Sequence, residues 1–222
     1  MKRECSVLFL GKADDDHVNK ALDFCRRNFT DVSAFLGKWG EKLPAEVDDW
    51  EGDYVISYLS RWIIPERILS KAQVAAINFH PASPDYPGFG CNNFALYEEA
   101  EEYGATCHHM ASKVDTGAII AVKRFPVFPT DTVASMHSRT YDNQLVLFYE
   151  VVGTIIKGEE LPVSDETWTR EPFTRKQFNE LDRLTPEMSA EEMAKRIRAT
   201  TYGPWKPKLI LNGISFEPQV EE

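Results

Sequence analysis

Short apolar runs alternate with amphipathic stretches over the first two thirds of the chain. Val7–Leu10 is an unbroken apolar run ending at Gly11, the pattern of a buried strand. Val18, Leu22, Cys25 and Phe29 recur at helical spacing and predict a helix over 14–29. Ser33–Leu36 and Tyr54–Leu59 predict two further strands, and Pro65 opens a short helix over 65–71. Val74–Phe79 predicts a strand with His80 at its carboxyl end. A charged helix is expected over Phe94–Tyr103, then strands over Ala105–Met110 and Ala118–Phe128, then one long amphipathic helix over Val133–Ile156. Strands alternating with helices predict an α/β fold, a mostly parallel sheet with helices on both faces. Ligands of such sheets collect beyond the carboxyl ends of the strands. Tyr58–Ile63 and Asn78–His80 are therefore expected to face one cleft.

After Glu159 the texture changes. Pro162, Pro172, Pro186, Pro204, Pro207 and Pro218 punctuate a polar segment, so residues 1–158 are expected to form the main domain and 159–222 a C-terminal extension. Within it, Ser189 followed by Glu192 predicts a capping box opening a helix over 189–200. Lys208–Leu211 and Ile214–Phe216, joined by Asn212-Gly213, predict a β-hairpin.

Composition narrows the class. A 43% hydrophobic share in 222 residues suffices for a core, and the net charge is −10. Such a surface is a poor match to a nucleic acid, whose phosphates are bound by clustered Lys and Arg. The apolar part of the N-terminus is too short for a signal peptide, and no apolar run has membrane-spanning length. Cys5, Cys25, Cys91 and Cys107 are scattered with no C-x-x-C pair, as expected of reduced thiols. A cytoplasmic protein without a membrane partner is expected.

The candidate chemistry lies in Asn78-Phe79-His80-Pro81, followed 35 residues after His80 by Asp115-Thr116-Gly117. Asn78 and His80 are two apart on an extended chain, so their side chains share one side. An amide that holds a carbonyl oxygen, an imidazole that handles a proton and a carboxylate that orients the ring are the parts of acyl transfer. Each also has a structural reading: Asn78 can bond backbone, His80 can be a satisfied core histidine, and Asp115 can be a turn residue. His108 and His109 are adjacent on a strand and point to opposite faces, so no metal site is expected.

The loop Asn78-Phe79-His80-Pro81-Ala82-Ser83-Pro84-Asp85-Tyr86-Pro87-Gly88 resembles the Asn-x-His-Pro loop of the folate-dependent formyltransferases. Gly104-Ala105-Thr106-Cys107-His108 with Asp115-Thr116-Gly117-Ala118-Ile119 resembles that family's second motif. The resemblance implies a Rossmann-like formyltransferase domain and 10-formyltetrahydrofolate as formyl donor, with no metal. It implies that Asn78 stabilises charge on the formyl oxygen, and that His80 takes a proton or stabilises the tetrahedral intermediate. Asp115 would orient His80 and accept a proton. Arg61, Trp62 and Ile63, largely through backbone, and Val114 opposite them would cradle the pterin ring, while His108 would be architectural.

The same resemblance bears on the acceptor. Gly11-Lys12-Ala13-Asp14-Asp15-Asp16 is a poor phosphate loop for glycinamide ribonucleotide, because three carboxylates repel an anion. The extra domain and basic surface of the tRNA enzymes are not expected. The segments 90–97 and 181–199 are similar to those of sugar N-formyltransferases, which implies a nucleotide-linked (dTDP) amino-dideoxy sugar, destined for a surface polysaccharide such as O-antigen. Tyr202, Trp205 and Phe216 are candidate base-stacking residues. Arg196, Arg198, Lys206 and Lys208 are candidates for the diphosphate. The alternatives are another small amine, such as a hydroxylamino amino acid, or a non-catalytic folate- or sugar-nucleotide-binding module. Apolar surface on the 208–216 hairpin and the 133–156 helix makes a homodimer plausible.

Overall fold

Strand β1 (Arg3–Lys12) carries alternate side chains to opposite faces of a sheet, and both faces are buried. Val7 and Phe9 join one apolar cluster, while Leu8 and Leu10 join another. This two-sided burial is why Val7–Leu10 is an unbroken apolar run. The computed structural model describes residues 2–219. Helix α1 (Asp16–Asn28) is capped by Asp15, whose carboxylate accepts from the His17 and Val18 amides. Strand β2 (Phe29–Gly37) follows, then a short 3-10 helix (Ala45–Asp49) that the sequence pattern does not predict.

Strand β3 (Gly52–Tyr58), the four-residue helix α2 (Glu66–Leu69) and strand β4 (Ala72–His80) complete the parallel part of the sheet. Helix α3 (Cys91–Tyr97) is shorter than expected and starts earlier. The expected helix to Tyr103 is replaced at Glu102 by strand β5 (Glu102–His109). Four acidic residues within Glu98–Glu102 repel one another, and Glu99 adopts a left-handed φ of 54° that ends the helix. Tyr103 is fully buried in β5, where its hydroxyl donates to the Pro81 carbonyl at 3.0 Å.

Strand β6 (Ile119–Pro126) leads to helix α4 (Val133–Lys157), opened by a Thr132/Ser135 capping box and closed by Gly158 in the left-handed region. Beyond it lie helix α5 (Arg175–Leu181), which was not expected, the two-residue strand β7 (Arg183–Leu184) and helix α6 (Ala190–Thr200). Ser189 caps α6 as expected, but the Glu192 side chain does not turn back on the cap. It accepts from the Tyr97 hydroxyl at 2.9 Å and from Arg196 at 2.6 Å. Strands β8 (Lys208–Leu211) and β9 (Ile214–Phe216) form the predicted hairpin, with both turn residues, Asn212 and Gly213, at positive φ.

The main sheet has the order β2-β1-β3-β4-β5-β6, and β7-β8-β9 form a second, small sheet. β2, β1, β3 and β4 run parallel, whereas β5 and β6 are antiparallel additions. α1 and α4 cover one face, with Phe148 at the centre against Phe9, Tyr58 and Phe79. A third cluster, with Tyr86, Phe94, Tyr103 and Phe125, also takes in Leu181 and Ala199 from the C-terminal segment. No described helix is long and apolar enough to cross a membrane.

Candidate active site

The antiparallel β4–β5 pair decides the geometry of the site. It sets Asn78 opposite His108 and His80 opposite Thr106. The chain leaving His80 is pinned to β5 at once: Tyr103 bonds the Pro81 carbonyl, and the Thr106 hydroxyl donates to the Ala82 carbonyl at 2.7 Å. Asp115 arrives from the segment between β5 and β6. Its backbone sits at a φ of 49°, a strained value for a residue with a side chain, of a kind found where function holds it.

Three heads meet there. His80 Nδ1 lies 3.3 Å from one Asp115 oxygen, and the Gly88 amide donates to the same oxygen at 2.9 Å. The other Asp115 oxygen is 3.4 Å from His108 Nε2, which in turn is 3.1 Å from Asn78 Nδ2. His108 Nδ1 faces the His109 carbonyl at 2.8 Å, while Nε2 faces both the Asn78 amide and the Asp115 carboxylate. His80 Nε2 faces the Tyr86 carbonyl at 3.1 Å. Both nitrogens of His80 thus face acceptors, and only the imidazolium satisfies both.

The electrostatics agree with the contacts. Burial works against a charged His80, but the Asp115 carboxylate outweighs it and raises the pKa from its ordinary value to about 9. Burial likewise works against the Asp115 anion. The His80 charge, then the His108 ring and the Gly88 amide, overcome this and lower its carboxyl to about 2. Asp115 and His80 are each only 5% exposed, so the pair is little screened by solvent.

The three residues line one cleft with a cavity volume of about 300 Å³, the lower end of the range for small-molecule sites. Arg61, Trp62, Ile63 and Val114 line the same cleft, as do His108, Met110 and Tyr141. Trp62 is anchored on its outer side: its indole lies over Gly37, and its Nε1 donates to the Glu41 carbonyl at 3.0 Å. The apolar wall of Leu59, Ile64, Leu69 and Phe79 with polar groups at one end suits a flat heteroaromatic ring. Among the described residues no cluster of ligating side chains could hold a metal ion.

Two features escape sequence reading. Trp168, in the Pro-punctuated segment, donates to the Gly117 carbonyl at 2.8 Å and packs edge-on against both His80 and His108. Phe173 pairs with the loop at Gly88 and Phe89, tying the C-terminal segment to the Asp115 clamp. No local pattern around either aromatic signals this. Gly117 was legible only as part of a motif, yet a Cβ there would fall 1.8 Å from the His109 carbonyl oxygen. Gly117→Ala is expected to cost about 1–3 kcal/mol through forced backbone movement beside Asp115. Calorimetry would register it as a lower Tm, and an unchanged Tm would show that the segment yields freely.

A second cavity, of about 430 Å³, adjoins the first through Tyr141 and is lined by Asp14, Asp15, Asp16, His17, His137 and Tyr202. Tyr202 stacks on Trp205 with ring centroids 6.1 Å apart. Phe216, on β9, lines neither cavity. The candidate diphosphate cations are largely committed elsewhere. Arg196 holds Glu192 and the Glu180 carbonyl, Arg198 holds the Asp131 and Phe128 carbonyls, and Lys208 lies 3.7 Å from Glu217.

Residues 26–152 match the formyl transferase family. The chain is 28% identical to a methionyl-tRNA formyltransferase of Enterococcus faecalis over 170 residues, 75% of this chain and 52% of that protein. It is 27% identical to a GDP-perosamine N-formyltransferase of Brucella melitensis over 164 residues, 73% of this chain and 62% of the relative. The chain thus spans about half the length of the methionyl-tRNA relatives it matches. A sugar N-formyltransferase from a Shewanella species superposes with a TM-score of 0.77 at 18% identity, covering 97% of this chain and 96% of the other. An N-formyltransferase from Helicobacter canadensis, solved with folinic acid and dTDP-3-aminofucose, superposes with a TM-score of 0.70 at 18% identity, covering 87% and 80%. At these identities the structural likeness is one of fold. With a family match over more than half of its 222 residues, and with the fold and motif geometry described above, this chain belongs to the formyl transferase family.

Proposed function

We propose that this protein transfers a formyl group from 10-formyltetrahydrofolate to the amine of a nucleotide-linked amino-dideoxy sugar, with dTDP as the nucleotide. The observation that carries the reading is the meeting of Asn78, His80 and Asp115 in one cleft whose apolar wall fits a pterin-like ring. A binding module needs no such charged, buried pair. The sugar-directed relatives support the acceptor, and so does the net charge of −10, which disfavours a tRNA. The methionyl-tRNA relatives support the same chemistry with a different amine.

The donor supplies the formyl carbon and, on leaving, a nitrogen that takes up one proton. Asn78 donates from its amide to the formyl oxygen as negative charge develops there. His80 has no free lone pair in this arrangement, so its role is the second of the two implied for it, a fixed positive charge beside that oxygen. Among the described residues Asp115 is the only carboxylate lining the cleft, and it stands as the relay for the proton lost by the amine. A carboxyl held near 2 passes a proton on and does not retain it. Arg61, Trp62, Ile63 and Val114 orient the donor ring, and His108 and Trp168 hold Asn78 and His80 in place.

Mass spectrometry tests the reading: with 10-formyltetrahydrofolate and a panel of amino-sugar nucleotides, one N–H should become one N-formyl group. No formylation of any nucleotide sugar, with formylation of another amine, would refute the acceptor. The His80 charge gives a pH signature. Its raised pKa means that its stabilising contribution is complete below ~6.5 and is lost as pH rises through about 9. Asp115, with its pKa depressed, contributes fully above ~3.9 and loses its contribution only as pH falls through about 2. The rate is therefore expected to fall on the alkaline side near 9; a profile flat past pH 10 would remove the charged imidazole from the mechanism. The apolar positions Ile210, Leu211 and Ile214 on the exposed hairpin support a homodimer, which sedimentation would detect.

A further inference from the structure

We propose that the exposed surface made by Trp39, Arg61, Arg175 and Phe89 at the mouth of the cleft binds the nucleoside diphosphate of the acceptor. This rests on the nucleotide-linked acceptor proposed above and assigns the part of the site that reading left open.

The Trp39 indole is 68% exposed, in the segment after β2. Two guanidiniums flank it: Arg61 at 5.6 Å and Arg175 at 5.5 Å from the ring. Arg175 also lies 3.8 Å over the Phe89 ring, on the loop that leads from His80 to α3. Arg61 lines the reactive cleft itself. The cluster therefore gathers four separate segments of chain at the edge of the reaction site.

Its charge is uncompensated. Among the described residues, neither Arg61 nor Arg175 forms an ion pair or a side-chain hydrogen bond, whereas Arg67, Arg124, Arg139, Arg170 and Arg196 all pair with carboxylates. In a protein of net charge −10 this makes a local positive patch. The stacked guanidiniums are held by the rings while their N–H edges stay free, and planar forks of this kind suit phosphate oxygens. The exposed remainder of the Trp39 indole beside them suits a nucleobase, since base–aromatic stacking needs no particular base. The neighbouring cavity offers less to the same ligand: Asp14, Asp15 and Asp16 line it, and the lysines beside it, Lys38 and Lys12, are held by Asp14 and Asp15. The cations near the C-terminus that offered themselves from sequence, Arg196 and Arg198, are engaged internally. Among the described residues, Arg61 and Arg175 are guanidiniums beside the cleft that no carboxylate holds. The expected acceptor pose runs from base on Trp39, through diphosphate on Arg61 and Arg175, to the sugar amine at Asn78 and His80.

Isothermal titration of Trp39→Ala, Arg175→Gln and Arg175→Lys with thymidine diphosphate, and separately with folinic acid, tests this. Both positions are on the surface, so thermal melts should match the parent. Arg175→Gln is expected to weaken thymidine diphosphate binding about tenfold or more, and Trp39→Ala by about fivefold or more, from loss of a charged hydrogen bond and a stacking face. Arg175→Lys should fall between Gln and the parent, because the charge remains but the fork is lost. Folinic acid binding should stay within about twofold. Unchanged diphosphate binding in both Trp39→Ala and Arg175→Gln would overturn the assignment while leaving the acceptor class intact. So would a loss confined to folinic acid, which would give the cluster to the donor's glutamate tail. If the parent binds folinic acid but no thymidine, uridine or guanosine diphosphate, the acceptor reading itself fails.

Discussion

Asn78→Ala is expected to lower kcat by ~10²–10³ with little change in folded stability, the usual effect of removing one oxyanion donor. Asn78 lies in β4 between Ser57 of β3 and His108 of β5, so its backbone is fixed by the sheet on both sides. Its amide is aimed by His108 Nε2 at 3.1 Å, which spares the reaction any reorganisation as charge develops. Truncation to Ala leaves the strand pairing untouched and removes only that donor. Because the interaction strengthens as the oxyanion forms, kcat and kcat/KM should fall together, with folinic acid affinity little affected. Steady-state kinetics with circular dichroism as a folding control would decide it. A variant within about tenfold of the parent would show that Asn78 is not the donor.

Asp115→Asn is expected to damage both stability and activity. The substitution keeps the shape but leaves the buried His80 imidazolium without its counter-charge. Breaking a buried pair by removing one partner typically costs about 3–5 kcal/mol. The protein can escape part of that cost by releasing the His80 proton, since burial alone favours the neutral ring. The alkaline limb of the pH–rate profile should therefore move down from about 9 to below neutrality. That shift separates loss of charge from loss of packing, because a merely structural defect would lower the rate without moving the limb. Retention of the parental stability and limb would dissociate Asp115 from His80.

Much of this molecule was readable from local pattern. The buried strands announced themselves through apolar runs, α4 through its periodicity and terminal glycine, and the hairpin through Asn212-Gly213. Asn78 and His80 were legible as a pair because the two-residue period of a strand puts both on one side. What failed locally was decided by neighbours distant in sequence. Tyr103 left the expected helix because the sheet buries it and Pro81 accepts its hydroxyl. The architectural reading of His108 did not say what it braces: it reaches Asn78 and Asp115 because β5 runs antiparallel to β4, and nothing in its own segment fixes that register.

Periodicity, turn chemistry and paired motifs are short-range properties, so the sequence alone determined the fold class, most strands and helices, and the identity of the three central side chains. The protonation of His80, the bracing by Trp168 and the patch around Trp39 arise where segments far apart in the chain are packed together. Burial, facing acceptors and uncompensated charge exist only once that packing is made, which is why the tertiary structure alone could decide them.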